Sequence, residues 1–299
     1  MSSRIAVAGT PVPAARRRPA RAVATSIAIH AVVITGSVFM LVPLAFMLST
    51  SLKHEWEAFE IPPRWIPDEL VWENYWRAIF QYFNFVQYGI NTMTITVGVL
   101  VGRIISASLV AFGFARIRFF ARDVLFLLVL SGLMVPHQVT IIPLYILFKE
   151  LGWLNSYLPL IVPAWFGGGA FFIFLLRQFI MTISPELDDA ARIDGCGWFG
   201  IYARIIMPQL TPALASVAIF SFLATWNDFF GPLIFLNSNK LFTLAIGLHF
   251  YTNAASSSSR PETTVIMAGS TLVMLPPLLL FFFAQRLFIQ GVVVSGVKG

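Results

Sequence analysis

Six long runs of mostly apolar residues alternate with shorter polar stretches along the chain. They cover about residues 24–50, 88–114, 124–148, 157–181, 209–235 and 263–289. Each run holds about 20 or more residues, which is the length that an α-helix needs to cross a hydrocarbon core of ~30 Å at a rise of ~1.5 Å per residue. The pattern therefore predicts an all-α integral membrane protein, in which residues 23–290 form a domain of six transmembrane helices.

The composition supports a membrane location and does not point to a metal site or a disulfide framework. Apolar residues make up 58% of the 299 residues and charged residues only 11%, whereas an average soluble chain carries about 25% charged residues. The single cysteine, Cys196, cannot form an intrachain disulfide, and the four histidines are scattered, so no metal site is predicted. The first apolar run is too long for a typical signal peptide and is expected to remain as an uncleaved span.

If the chain crosses the membrane six times, its basic residues are distributed unevenly between the two sides of the membrane. If the N-terminus is cytoplasmic, fourteen basic residues fall on the cytoplasmic side and six on the other side. The fourteen are Arg4, Arg16, Arg17, Arg18, Arg21, Arg103, Arg116, Arg118, Arg122, Arg177, Arg192, Arg204, Arg286 and Lys298. Because cytoplasmic segments of membrane proteins are enriched in lysine and arginine, we expect both termini in the cytoplasm. Residues 1–22 are predicted to be a disordered basic tail, and residues 291–299 a C-terminal cytoplasmic tail.

Two longer connections are predicted on the outer side of the membrane. Residues 53–87 contain an aromatic stretch at 72–80 that is typical of a short helix lying at the membrane interface. Residues 236–262 contain an apolar stretch at 241–251 that is too short to span. Either connection could dock a partner or cover the helix bundle, and the sequence leaves both alternatives open.

Residues 184–208 stand out because they are charged and helix-forming in a chain that is otherwise largely apolar. Ser184 and Pro185 are typical of a helix start, and the acidic residues that follow would lie at the positive end of the helix dipole. Gly195 is placed where that helix would end, and a second helical stretch continues to Pro208. The distribution of basic residues places this segment in the cytoplasm.

Each predicted helix of this segment has a face suited to docking in a groove of another protein. The faces comprise Leu187, Ala190, Ala191 and Asp194 on the first helix, and Trp198, Tyr202 and Ile205 on the second, with Phe199 and Ile206 beside them. The alternative is a connection that folds back on its own bundle. Nucleic acid is excluded as the partner, because four acidic and two basic residues give the segment a net charge of −2 that would repel phosphates.

The spacing within this segment resembles the EAA motif of permease subunits of bacterial ATP-binding-cassette (ABC) importers. In that motif, EAA is followed by three residues, a glycine, nine residues and then I-x-L-P. Here Asp189-Ala190-Ala191 is followed by three residues, Gly195, nine residues and Ile205-Ile206-Met207-Pro208. Asp189 replaces the usual glutamate and Met207 the usual leucine, and both replacements keep the chemical character of the position.

The resemblance extends over nearly the whole chain from the first span, and it is greatest to the permeases of maltose-type carbohydrate uptake systems. Further matching stretches are Ser51-Leu52-Lys53, PLYILFKELGWLNSYLPLIVP at 143–163, FLLRQF at 174–179, WNDFFGPL at 226–233 and GVVVSGVKG at 291–299. The resemblance implies a permease of the bacterial cytoplasmic membrane, with a cytoplasmic coupling-helix loop at 184–208 between spans four and five.

The resemblance also implies partners and contact residues. The coupling helix would lie in a cleft of a separate ATPase subunit, within a complex of two ATPase subunits, a second homologous permease and an extracytoplasmic solute-binding protein, surrounded by membrane lipid. The predicted contacts with the ATPase are Glu186, Asp189, Ala190, Ala191, Asp194, Gly195, Ile205 and Pro208, with Ser295, Gly296 and Lys298 of the C-terminal tail. ATP and Mg²⁺ would be bound by the ATPase subunits, and no cofactor is expected in this chain.

The sequence contains no recognisable catalytic motif. None of its four lysines belongs to a G-x-x-x-x-G-K-[ST] phosphate-binding loop, and neither H-E-x-x-H nor G-x-S-x-G occurs. Energy for transport must then come from another subunit or from an ion gradient, which leaves a gradient-driven carrier as the alternative. Such a carrier usually needs ionisable groups inside its spans. Asp228 and His137 are the main candidates, but Asp228 is predicted near the outer end of its span.

Five polar residues are candidate members of a solute pathway, although each could instead serve in hydrogen bonds between helices. They are Asn91, His137, Gln138, Asn227 and Asp228. The predicted solute is a sugar. Glycerol phosphate or another polyol is the alternative, since permeases similar to this one serve those solutes.

Overall fold

The computed structural model describes residues 20–82, 84–253 and 262–296. The side chains of residues 20–24, 137, 253 and 286–296 are outside that description. All regular structure in the described ranges is helical, which confirms the all-α prediction. The α-helices are α1 Ala20–Ser51, α2 Glu73–Arg77, α3 Phe85–Arg116, α4 Arg122–Ser131, α5 His137–Glu150, α6 Leu158–Ile161, α7 Ala170–Thr182, α8 Glu186–Ile193, α9 Trp198–Ile201, α10 Met207–Gln209, α11 Thr211–Trp226, α12 Phe230–Phe235, α13 Leu244–Asn253 and α14 Thr263–Gly296.

The protein is a multi-pass membrane protein by the length and hydropathy of its helices. In the part of the chain that is described, four helical stretches could cross a membrane without a sharp bend: Thr25–Ser51, Phe85–Arg116, Leu158–Thr182 and Thr263–Gln285. Two more helix pairs are long enough together but are sharply bent, and the chain has six spans if each pair crosses once. The chain divides after Met47 into two compact units, and all features below belong to the second unit.

The predicted span at 124–148 consists of two helices in the structure. Arg122–Met134 and Gln138–Glu150 are bent by 102° relative to each other. Pro136 lies at the break, and a proline disfavours helical geometry in the residue before it. Val135 is accordingly extended, with ψ 115°. The summed hydropathy of the run cannot register this break.

The predicted span at 209–235 is also interrupted. Helix α11 ends at Trp226, and α12 begins at Phe230. Asp228 lies between them, and its Oδ1 accepts a hydrogen bond of 3.2 Å from the Gly231 N–H. A side-chain acceptor at this position stabilises the start of a new helix. The other end of the run is bent as well, by 76° between Trp198–Gln209 and α11.

Helix α3 is the central element of the second unit. It packs against α7, α11 and the 3₁₀ turn Val162–Trp165. Its C-terminal half contributes Ala107, Ala111 and Phe112 to a buried apolar cluster that also includes residues of α7 and α11. Small side chains at such contacts let helices approach each other closely.

The glycine run at 167–169 brings the chain against α3 just before α7 begins. All three glycines have positive φ, between 67° and 103°. A Cβ built on Gly168 would lie 2.8 Å from Ala107 Cβ and 3.0 Å from the Arg103 carbonyl oxygen. Both the left-handed backbone and the neighbouring helix exclude a side chain here, so Gly168 is required for this contact.

Replacing Gly168 with alanine should destabilise the protein by about 2 kcal/mol or more, because the new Cβ strains the backbone and presses on α3. Gly113→Ala is the matched control, since Gly113 lies within α3 and a Cβ there meets nothing within 4 Å. The control should be as stable as the wild type or slightly more stable. Thermal unfolding of the purified proteins in detergent measures both effects, and equal melting temperatures for the two variants would contradict the close-packing account.

Charged groups fix the connection that precedes α3 to the start of α14. The Glu55 carboxylate accepts hydrogen bonds from the backbone N–H groups of Thr263 and Thr264, at 2.8 and 3.0 Å, where α14 begins. Arg77 donates to both carboxylate oxygens of Glu262. The hydrogen bond from Arg77 lowers the pKa of Glu262, and burial opposes this shift. In the predicted interfacial stretch at 72–80, the structure has α2 followed by a π-helical turn.

Several predictions fall at the edge of the described residues or beyond it. Residues 1–19 of the predicted N-terminal tail and Lys298 lie outside the described residues. Helix α14 continues to Gly296, so the backbone of Ser295 and Gly296 belongs to the same helix as the last predicted span. Their side chains are outside the description.

Candidate functional site

The 184–208 segment contains α8 and a second helical stretch that runs from α9 through α10. At the start of α8, the Glu186 N–H donates a hydrogen bond of 3.3 Å to Ser184 Oγ. Glu186, Asp188 and Asp189 occupy the first turn, where the positive end of the helix dipole stabilises negative charge. The local sequence thus explains why a helix begins here.

A glycine turn ends α8. The Cys196 N–H donates to the Ala191 carbonyl at 2.8 Å, and the Gly195 N–H donates to the Arg192 carbonyl at 3.0 Å. This pair of hydrogen bonds defines a Schellman motif, and Gly195 has the expected left-handed conformation, with φ 80°. A Cβ on Gly195 would meet no atom of the described residues within 4 Å, so the requirement for glycine comes from the backbone conformation. Across the turn, the Arg192 guanidinium lies 3.9 Å from the centroid of the Trp198 ring, which connects the two helices.

The second helical stretch packs partly inward. It consists of α9, a π-helical turn at Tyr202–Ile206, and α10. Ile201 and Ile206 are fully buried, and the Tyr202 hydroxyl shares a hydrogen bond of 2.7 Å with Ser108 Oγ of α3. The predicted docking face is therefore wrong at Tyr202, which packs in the core of its own chain. A π-helical turn changes the helical phase, so an α-helical periodicity does not locate the exposed face correctly.

The outward face of the segment combines apolar and acidic side chains. Ile193 and Phe199 are 88% and 75% exposed. Of the eight residues predicted here to contact an ATPase, Ala191 is buried and Ile205 is half-buried. The other six are exposed: Glu186, Asp189, Ala190, Asp194, Gly195 and Pro208. An exposed surface that mixes large apolar and charged groups is suited to binding another protein.

A buried ion pair joins α8 to the C-terminal end of α3. Arg116 Nε lies 2.9 Å from Asp188 Oδ2, and the two side chains are only 8% and 9% exposed. Arg116 also donates from Nη2 to the Ile183 carbonyl at 2.7 Å. Burial raises the pKa of Asp188, and the charge of Arg116 opposes this shift. Arg116 thus holds both α8 and the residues just before it against α3.

The Arg116–Asp188 pair was not predicted from the sequence. Asp188 is one of three acidic residues within a single turn, and Arg116 is one of several basic residues around the end of span two. Nothing in their spacing joins them, because the contact depends on how α8 folds back against α3. The pair could be found only from the tertiary structure.

A cavity of about 390 Å³ is lined by residues of α3, α5, α11 and α12. Its polar side chains are Thr92, Arg103, Thr225, Asp228 and Thr243, and its other lining residues are aliphatic, aromatic, proline or glycine. Asp228 is the only predicted pathway residue among the described lining residues. Gln138 lies with Asp228 on a second cavity of about 260 Å³.

The remaining predicted pathway residues lie elsewhere in the described structure. Asn91 is buried, and its amide donates to the carbonyls of Lys240 and Phe242 at 2.8 and 2.9 Å. It therefore holds the connection between α12 and α13 to α3, and this structural role is the alternative that the sequence left open. Asn227 is exposed and donates to the Leu223 carbonyl at 2.9 Å. His137 begins α5, and its side chain is outside the description.

Arg103 lines the cavity, although it was not among the predicted pathway residues. It was expected among the cytoplasmic basic residues, but it lies 13 residues before the end of α3 at Arg116 (116 − 103), or about 20 Å along the helix. The uneven distribution of basic residues persists without it, at thirteen (14 − 1) against six. Its position within the apolar run 88–114 is the signal that could have identified it.

Comparison with known proteins decides the family. Residues 76–294 match the binding-protein-dependent transport system inner membrane component family. The chain belongs to this permease family. It is 39% identical over 209 residues to the arabinooligosaccharides transport system permease protein AraQ of Halalkalibacterium halodurans, a match that covers 70% of this chain and 73% of that protein.

Two further similarities agree with this assignment. The permease is 30% identical over 226 residues to the sn-glycerol-3-phosphate transport system permease protein UgpE of Brucella abortus, and the match covers 73% of this chain and 79% of that protein. Its fold is similar to that of a chain in the crystal structure of a bacterial ABC transporter involved in the import of the acidic polysaccharide alginate. The TM-score is 0.80 at 20% identity, over 91% of this chain and 99% of the other.

In this permease, α3 connects the two regions of interest. Thr92, Val99 and Arg103 of α3 line the cavity, and Arg116 at the end of α3 is paired with Asp188 of α8. Rigid secondary-structure elements can carry energetic coupling between distant sites. Helix α3 therefore contacts both the cavity and the 184–208 segment.

Proposed function

We propose that this permease is the membrane subunit through which an ABC importer brings a sugar into a bacterial cell. The observation that carries the proposal is the exposed, acidic and apolar face of the 184–208 segment, set by the turn at Gly195, in a chain of this family. AraQ is by name a permease for arabinooligosaccharides, which supports a sugar. UgpE is by name a permease for sn-glycerol-3-phosphate, and glycerol phosphate is therefore the second candidate.

The proposed complex contains a second homologous permease, two ATPase subunits in the cytoplasm and an extracytoplasmic solute-binding protein. The family description itself names a binding protein. The excess of basic residues supports the cytoplasmic location of the termini and of the 184–208 segment. ATP and Mg²⁺ bind to the ATPase subunits, and this chain carries out no covalent reaction.

In the proposed mechanism, closure of the ATPase subunits moves the 184–208 face. The buried pair of Arg116 and Asp188 passes this movement to α3, because separating two buried charges is strongly unfavourable. Helix α3 then shifts against α7 and α11, and the cavity that it lines changes its access from one side of the membrane to the other. The solute moves through the permease without chemical change.

Cross-linking tests the contact with the ATPase. Cys196 is the single cysteine, so a Cys196→Ser background allows one cysteine to be placed at will. A cysteine at exposed Phe199, labelled with a short reagent that carries a maleimide and a photoreactive group, should cross-link to an ATPase subunit on illumination in membranes that contain the complete complex. Mass spectrometry of the product identifies the partner.

The matched control is Ile61→Cys, which is also highly exposed but lies in the outer connection. It should give no ATPase product, because the membrane separates it from the cytoplasm. An ATPase product from Ile61→Cys, or none from Phe199→Cys in an assembled complex, would contradict the proposed contact and orientation.

A further inference from the structure

The α1–α3 connection, residues 52–84, carries its large apolar side chains on the outside. All of it except residue 83 is described. Nine large apolar side chains of the connection are more than half exposed, and Ile61 and Ile66 reach 94% and 80%. Single exposed apolar residues are common on proteins in water, but a set as dense as this one marks a contact surface. Four of the nine are Trp56, Trp65, Trp72 and Trp76.

Polar side chains occupy the interior of the same connection. Lys53 and Glu57 are each 1% exposed, and Asn74 is 2% exposed. The Asn74 amide donates hydrogen bonds to the carbonyls of Ser51 and Lys53, at 3.1 and 2.8 Å. The Lys53 ammonium donates to the Arg64 carbonyl. The usual burial pattern of a water-facing connection is thus reversed, and its polar groups bond to one another, as a segment requires where water is scarce.

The two ends of the connection place it at a membrane surface. It follows the candidate span Thr25–Ser51 and precedes the candidate span Phe85–Arg116. No candidate span lies between these two in the described residues, so both ends of the connection lie at the same surface. Directly after the connection, α3 exposes apolar side chains at helical spacing, as a helix face in contact with hydrocarbon does. They include Val86, Ile90, Met93, Val97 and Val101.

The composition of the exposed surface favours lipid headgroups over a protein partner. Half of the eight tryptophans of the chain lie in this connection, and tryptophan collects at the headgroup level because its ring is apolar and its N–H is polar. Charges lie among the rings: Arg64 Nε is 2.6 Å from a Glu60 oxygen, and Arg64 also pairs with Asp68. The core of a protein interface is depleted of such charges.

The net charge of the connection indicates the class of lipid. Residues 52–84 carry six acidic and three basic side chains, which gives a net charge of −3 with neutral histidine. Anionic headgroups attract clusters of basic residues, and this surface is acidic. A zwitterionic headgroup region therefore fits it better than an anionic one.

We propose that the α1–α3 connection is a lipid-docking surface, whose exposed tryptophan and isoleucine side chains lie in the headgroup region of a zwitterionic bilayer while its buried polar side chains hold the connection together. Glu55 and Arg77 of this connection bind the start of α14, so the contact with lipid also holds the start of α14 at a fixed depth. The inference does not rest on the proposed function, because it concerns neither the solute nor the ATPase.

Spin labelling of the complete complex in phosphatidylcholine nanodiscs tests this contact. In a Cys196→Ser background, with the other subunits free of cysteine, one nitroxide is attached to Ile66→Cys or to Trp76→Cys. Its collision rates are measured with oxygen, which concentrates in the bilayer, and with a water-soluble nickel chelate. The ratio of oxygen to chelate collisions should be severalfold higher at both positions than at a water-facing position of the same connection.

Glu69→Cys provides that water-facing position. The Glu69 side chain is 82% exposed, and as a carboxylate it should face water rather than the bilayer. Equal collision ratios at Ile66, Trp76 and Glu69 would overturn the proposal, because the apolar side chains would then face water. Labels at Ile66 and Trp76 that are immobile and shielded from both reagents would also overturn it, since another protein subunit would then cover this surface. If Trp76→Cys does not assemble, Ile66→Cys decides the question.

Lipid charge and the solute-binding protein provide two further checks. Adding phosphatidylglycerol to the nanodiscs should not raise the collision ratio at Ile66 or Trp76, because the connection is acidic, and a severalfold rise would overturn the zwitterionic assignment. Adding the solute-binding protein should leave both labels unchanged, whereas immobilisation of the labels would show that this protein is the occupant. Uptake is measured separately, so a failure of the importer proposal would leave the lipid contact standing.

Discussion

Arg116→Met should destabilise the permease by about 3–5 kcal/mol, because it leaves the Asp188 carboxylate buried without its partner. Arg116 and Asp188 are 8% and 9% exposed and lie 2.9 Å apart, so water cannot readily replace the lost charge. The same variant should lower the amount of solute imported per ATP hydrolysed, because α8 is no longer tied to α3. Thermal unfolding of the purified complex measures the first effect, and paired uptake and hydrolysis assays measure the second.

Two further variants test whether loss of the Arg116–Asp188 pair causes the lower stability and the lower coupling. Arg118→Met removes an exposed basic residue two positions away and should change neither stability nor coupling. The double variant Arg116→Met with Asp188→Leu should recover much of the lost stability, since neither charge then remains unpaired in the interior. An Arg116→Met protein as stable and as well coupled as the wild type would contradict the role assigned to this pair.

Gly195→Val should uncouple ATP hydrolysis from uptake. Gly195 ends α8 with φ 80°, a conformation that costs a β-branched residue about 1–3 kcal/mol. No described neighbouring atom obstructs a side chain there, so the change acts on the turn rather than on the core. We expect assembly to survive and the solute imported per ATP to fall roughly tenfold.

The control for this turn is Gly197→Ala, whose parent residue has an ordinary φ of −76° and open space around it. It should transport normally. Gly195→Asn should retain partial coupling, because asparagine tolerates the left-handed region better than valine does. Full transport by an assembled Gly195→Val complex would show that the geometry of this turn is not needed for coupling.

The sequence predicted the helical class of the protein and its continuous spans because these depend on local properties. Helices α3 and α14 are long apolar runs whose length alone determines that they can span a bilayer. The runs at 124–148 and 209–235 have similar hydropathy, yet Pro136 and the irregular residues around Asp228 break them. Hydropathy sums apolar character over a window and does not register such a break.

The candidate site also combines features that the local sequence determines with features that depend on tertiary packing. The end of α8 at Gly195 follows from a local requirement for a left-handed residue, and the sequence placed it correctly. The orientation of Tyr202 depends on a π-helical turn and on Ser108 of a distant helix. The positions of Arg103 and Asp188 depend likewise on tertiary packing, so neither the cavity nor the buried ion pair could be derived from spacing.

Solute accumulation in proteoliposomes tests the central claim most directly, namely that this permease moves solute only when separate subunits hydrolyse ATP. The complete complex should accumulate a labelled arabinooligosaccharide only with Mg²⁺ and ATP on the ATPase side and the binding protein on the other side. This chain alone, under an imposed proton or sodium gradient, should accumulate none. Accumulation by the chain alone would contradict the account and establish a gradient-driven carrier in its place.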